Sequence, residues 1–277
     1  MRLTEQEQPS PGNTNYAGTA ASIGSVPSRH AALFVISHLA NQPEPVTIAE
    51  LSKLTGVHRA TLYRTVESLE SEGWVSAEGQ PRRFQLTLRL AQLGLRNLRH
   101  NQVRETLIPF ATELCLRLQK PTNVGFYEHG EIVITDSIAL VNKTAIAFPE
   151  GLRVPASCLG PGKILLALQP PEELERVLAR PVPRFNERTK TDPEVIRQEI
   201  IATKDRGYGW AFGEFGTRLC TVGLAVMSRS GEPVGAIGFV LGHQFAEGPS
   251  EDHVAVAREI EERASAHLGY RPPFLDH

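Results

Sequence analysis

Several groups of residues in this 277-residue chain have the types that chemistry uses. Gly160-Pro161-Gly162-Lys163 has the glycines and lysine of a phosphate-cradling loop. That loop needs Gly-x4-Gly-Lys-Ser/Thr. Here Ser157 stands at the first glycine position and Ile164 follows the lysine, so triphosphate chemistry is excluded. Backbone amides at a helix start there could still hold a carboxylate. Cys158 and Cys220 would need a base and a lowered pKa to act as nucleophiles, and no motif places His129 or His243 beside them. The same four residues lack metal-ligand spacing. With Cys115 the cysteines are three, widely spaced and without a CxxC pair, which suits reduced thiols in a cytoplasmic protein. Glu172-Glu173 and Glu261-Glu262 read as solvated helix faces. No cofactor and no catalytic set is expected.

The strongest signal is arginine on a short helix. His58, Arg59, Thr61, Tyr63 and Arg64 lie near a helix start or off the apolar stripe Leu62/Val66/Leu69. A helix fits the major groove, and its first residues face the base edges. An arginine fork matches guanine O6 and N7, and a threonine methyl can pack on thymine. Arg82 and Arg83, near the tip of a predicted hairpin, suit phosphate or minor-groove contact.

Local signals define the elements that would position these side chains. A helix over 29–41, capped by Ser28, ends at Pro43 and Pro45. Thr47-Ile48-Ala49-Glu50 is a capping box that opens a short second helix. Gly56 stops it, since glycine takes positive φ cheaply. A third helix follows Val57 and runs to Glu72, and 74–77 and 84–87 form a wing hairpin. Two helices around Thr55-Gly56-Val57 make a helix-turn-helix. The leucines at 90, 93, 95 and 98 mark a linker helix over 88–104.

Beyond it the expected elements are a helix over 107–119, a hairpin around His129-Gly130 and a short helix over 163–168. A helix over 193–205, a hairpin around Ser230-Gly231 and a closing helix over 251–268 complete them. The fold class is therefore mixed: an all-α winged helix-turn-helix domain over 28–87 and an α+β domain over 105–270 with an antiparallel sheet. Residues 1–27 and 271–277 are expected as tails; the first is polar, without the apolar core of a secretory signal.

Charge follows this division. The formal net charge is -2, but residues 28–104 hold 10 Lys+Arg against 6 Asp+Glu, and residues 105–277 hold 18 against 23. A basic head on an acidic body suits duplex DNA as partner of the first part only. No apolar run approaches the ~18 residues of a membrane span.

Larger stretches resemble the IclR family of bacterial transcription regulators. They run from Arg29-His30-Ala31-Ala32 through Leu51-Ser52-Lys53-Leu54-Thr55-Gly56-Val57 to Gly73-Trp74-Val75. Further on come Val154-Pro155-Ala156-Ser157 before Gly160, and Arg206-Gly207-Tyr208-Gly209-Trp210 through Glu214 before Val222-Gly223-Leu224. The resemblance implies a GAF-like effector domain and a homodimer or homotetramer on a pseudo-palindromic operator. It also implies a small organic effector bound near Gly160, Pro161, Ala211, Cys220, Gly238 and Val240. Members that bind small keto acids carry a carboxylate near position 211 and hydroxyls near 238 and 240, which this chain lacks. With Phe126, Ile146, Phe148, Val154 and Trp210 as further lining, the expectation is an apolar pocket for a larger or aromatic acid. The competing readings are a small-metabolite enzyme and a winged-helix protein scaffold.

Overall fold

The computed structural model describes residues 31–99, 101–140, 148–215 and 220–271. The chain divides into two compact units, Met1–Asn97 and Leu98–His277. Ser28, the expected first cap, and Ile146 lie outside the described residues.

In the first unit, α1 (Ala31–Ala40), α2 (Ile48–Thr55) and α3 (Arg59–Ser71) precede a hairpin of β1 (Val75–Glu78) and β2 (Arg83–Leu86). The capping box forms as its spacing requires: the Glu50 amide donates to Thr47 Oγ1 at 3.2 Å, and the Thr47 amide donates to the Glu50 carboxylate at 2.7 Å. Gly56 caps α2 at φ 70. Val35, Leu39, Leu51, Leu62, Val66, Leu69, Val75 and Phe84 close a single core. Val46 bridges Phe84 through two backbone hydrogen bonds, which tie the wing to the chain entering α2. Next comes α4 (Leu88–Arg99), whose Leu88, Leu93 and Leu95 stand in solvent.

The second unit is built on six antiparallel strands: β3 (Thr122–Glu128), β4 (Glu131–Ile138), β5 (Arg153–Pro155), β6 (Gly209–Phe212), β7 (Cys220–Met227) and β8 (Pro233–Leu241). Their order is β5-β4-β3-β8-β7-β6. On one face α5 (Gln102–Leu118) and α9 (Glu251–His267) bury Val124, Cys220, Val222, Leu224, Ile237 and Phe239. On the other lies α6 (Gly160–Ala167). Behind it, α7 (Pro171–Leu178) and α8 (Pro193–Arg206) share a smaller apolar cluster with the end of α6. Asp192 caps α8 and Gly207 ends it at φ 75.

Four elements differ from the sequence expectation. The short helix starts at Gly160, not Lys163, with Pro161 in its first turn, where a missing N–H costs nothing. Strands β5 and β6 are only three and four residues long, with weak local signals, and pairing with β4 and β7 holds them; helix α7 joins the expected set, with Pro171 and two acids in its first turn.

Candidate functional site

The exposed face of α3 divides by charge. Its first half carries Arg59, Tyr63 and Arg64, all exposed, with Thr61 half-buried. Its acids, Glu67 and Glu70, fall in the second half, followed by Glu72. Leu62, Val66 and Leu69 on the opposite stripe pin the helix to the core, so this face points outward. His58 is the N-cap: its Nδ1 accepts the Ala60 amide at 3.3 Å. That use fixes the ring at the helix start and leaves it exposed. Arg64 Nε reaches the Ala60 carbonyl at 3.4 Å. Among the described residues neither Arg59 nor Arg64 has an ion-pair partner.

The wing arginines are used differently. Arg82 donates to both carboxylate oxygens of Glu70 at 2.7 Å and lies over the Phe84 ring. Arg83 is the first residue of β2, not a tip residue; it donates to the Pro45 carbonyl at 2.8 Å and approaches Glu50 at 3.5 Å. Both stay half-exposed, and exposed pairs of this kind contribute only ~0–1 kcal/mol. A phosphate could therefore replace Glu70 as the partner of Arg82 at little cost.

In the second unit the sheet separates the residues expected around an effector. Gly160, Pro161, Ala211, Gly238 and Val240 meet on the α6 face, where the Gly160 amide donates to Thr221 Oγ1 at 2.9 Å. Val154 is buried on β5 opposite Ile132, whose side chain lies on that same face. Phe148 is buried, and its carbonyl accepts the Ser137 hydroxyl. Cys220 does not join them. Side chains alternate along a strand, and Cys220 points to the α5/α9 face, where Trp210 Nε1 donates to its sulfur at 2.8 Å. Phe126 and Trp210 pack on that face too.

Sequence reasoning missed the buried polar groups on the α6 side. Lys163 is fully buried and donates to Glu214 at 2.7 Å and to the Trp210 carbonyl at 3.0 Å. Glu199 of α8 lies 3.6 Å from Lys163 and pairs with Lys190 at 2.9 Å and Arg206 at 2.8 Å. Burial pulls the Lys163 ammonium below its usual range, and Glu214 and Glu199 hold it back. Burial alone would raise the Glu199 carboxyl, but Lys163, Arg206 and Lys190 hold it at about 2. Burial pushes the thiols up, Cys158 to about 12 and Cys220 to about 11, so both stay protonated at neutral pH. Among the described residues two buried side-chain oxygens on this side have no hydrogen-bond partner, Asn123 Oδ1 and Glu214 Oε2.

A winged helix-turn-helix joined to an α+β unit with a curled antiparallel sheet defines a DNA-binding transcription regulator with a sensing domain. The comparisons name the class. The model for the IclR helix-turn-helix domain matches residues 32–79, and the model for the C-terminal region of bacterial IclR transcriptional regulators matches residues 95–264. The chain belongs to the IclR family and is an effector-responsive transcription regulator. It is 25% identical over 240 residues to the HTH-type transcriptional regulator KdgR of Escherichia coli, covering 86% of this chain and 91% of that one. An IclR transcriptional regulator from Alicyclobacillus acidocaldarius has the same fold, with TM-score 0.72, 20% identity and coverage of 89% and 100%. So does an IclR homologue from Microbacterium hydrocarbonoxydans solved with 4-hydroxybenzoate, with TM-score 0.70, 22% identity and coverage of 86% and 99%. Among the described residues no helix is long and apolar enough to cross a membrane.

Proposed function

We propose that the first half of α3 enters the major groove of an operator, with Arg59 and Arg64 on base edges or phosphates. His58, Thr61 and Tyr63 flank them, and Arg82 and Arg83 touch the backbone from the wing. The observation that carries this reading is the pair of exposed arginines, without an ion-pair partner among the described residues, on a helix half that has no acid. Two copies present this helix to two half-sites. Leu88 and Leu95, two turns apart on one side of α4 and both exposed, offer a second copy an apolar surface to bury, which supports self-association. The working division is a head over 28–87, a linker over 88–104 and a sensor over 105–270.

The effector is a small organic acid larger than a two- or three-carbon keto acid, held on the α6 face by Gly160, Pro161, Ala211, Gly238 and Val240. The apolar character of that group supports this size class. So does the aromatic acid found in the Microbacterium homologue. Effector binding shifts a population between two arrangements of the paired heads, by as much as its affinity differs between them. The protein works in the cytoplasm and turns nothing over; the protonated thiols fit that reading.

A gel shift on the promoter beside the protein's own gene tests it. Wild type is expected to retard the fragment, and Arg64→Ala to need a severalfold higher concentration. Equal retardation by the variant removes Arg64 from the interface. A melting-temperature screen against aliphatic and aromatic acids tests the effector class. Stabilisation by two- or three-carbon acids alone contradicts it.

A further inference from the structure

The register of the sheet runs one row of residues under the first turn of α6: Gly209 on β6, Gly223 on β7, Gly238 on β8, Asn123 on β3 and Ser137 on β4. The three glycines permit the close approach. A Cβ at Gly209 or Gly223 would run into the backbone of Gly160 or Pro161. A Cβ at Gly238 would come within 2.5 Å of Pro161 Cγ and 2.7 Å of Asn123 Oδ1. Where the glycines end, the row turns polar. Asn123 is 2% exposed, and its side-chain carbonyl accepts no hydrogen bond from the described residues.

Its neighbours among the described residues supply no donor. Pro161 has no N–H and Gly238 has no side chain. The Ser137 hydroxyl donates to Phe148, and the Thr135 hydroxyl donates to Asp136. Thr221 accepts from Gly160 and lies 3.5 Å from the Ala211 carbonyl. Buried acceptors are nearly always satisfied, and an exception asks for a reason.

We propose that Asn123 determines effector specificity: its side-chain carbonyl, beside Pro161 and Gly238, accepts a hydroxyl or amine N–H of the bound molecule. This rests on the effector reading above and narrows it. The effector is an organic acid that carries a second polar group, a hydrogen-bond donor, apart from its carboxylate. Acids without that donor leave the carbonyl buried and unpaired, so the site discriminates against them.

The test uses matched acids that differ by one donor: benzoate and 4-hydroxybenzoate, phenylacetate and 4-hydroxyphenylacetate, butanoate and 3-hydroxybutanoate. Binding to the full chain is measured by calorimetry, for wild type, Asn123→Leu and Asn123→Ala. In at least one pair the hydroxylated member is expected to bind wild type about tenfold tighter, and this preference collapses in both variants. Melting curves serve only to show that the variants fold, since truncating or enlarging a buried residue costs stability by itself. An undiminished preference in a folded variant overturns the role of Asn123 and leaves the effector reading standing. Binding by none of these acids contradicts the effector reading itself, and this proposal with it.

Discussion

The first turns of α3 and the ground beneath α6 treat charge in opposite ways. On α3, Arg59 and Arg64 face water and form no ion pair among the described residues. Beneath α6, Lys163 is sealed from water and surrounded by Glu214, Glu199 and the Trp210 carbonyl. An exposed cation costs little to keep and is free to meet an outside anion. A buried one is expensive and must be paired inside. The first pattern serves recognition, and the second holds three segments of the sensor together: α6, α8 and the loop after β6.

Removing one member of the buried group should have the largest effect. Lys163→Met takes the 2.7 Å partner from Glu214, leaving it only Lys190 at 3.4 Å among the described residues, and is expected to cost about 3–5 kcal/mol in denaturant unfolding. A loss below ~1 kcal/mol would mean that the network holds nothing. The same group sets an acid limit. Glu199 is held at about 2 in the folded chain, below its unfolded value of roughly 4.3. Its contribution is therefore present above the unfolded value and is lost as pH falls from there toward about 2. Melting temperature should drop across that window, and by less in Glu199→Gln.

Truncating the exposed group should leave folding alone and weaken DNA binding. Arg59→Ala and Arg64→Ala are each expected to cost about 1–3 kcal/mol in operator affinity, with melting curves that overlay wild type. Gly238→Ala should destabilise by about 1–3 kcal/mol, since its methyl must displace Pro161 or Asn123. Arg82→Ala is expected to change stability by less than about 1 kcal/mol, because its exposed pair with Glu70 contributes little. A larger loss would make the wing pair structural.

What could be read from the chain follows how local the cause is. Thr47 with Glu50, Gly56, Asp192 and Gly207 act within one turn of backbone, and each stands where its residue type predicts. Arg59 and Arg64 were legible for the same reason: helix phase alone turns them away from Leu62 and Val66. The sensor site was less legible, because it depends on register between distant strands. Nothing near Cys220 in sequence says that its side chain faces α9 while Thr221 faces α6. Ser157 and Ile164 already exclude Lys163 from a phosphate loop, but its partner Glu214 lies 51 residues away, beyond the reach of any local pattern. Gly209, Gly223 and Gly238 carry no common signal in the sequence; aligned by register, they form the floor on which α6 rests. Asn123 was invisible because its importance lies in a missing partner.

The central claim is that the arginines of α3 meet phosphates and bases of duplex DNA. The most direct test is fluorescence anisotropy of the full chain on a duplex from its own promoter, titrated between 50 and 200 mM salt, on the order of the range where counterion release is steep. Wild-type affinity should fall steeply with salt, and Arg59→Ala/Arg64→Ala should bind more weakly with a shallower slope. Superimposable titrations for the two proteins, or affinity indifferent to salt, would contradict it.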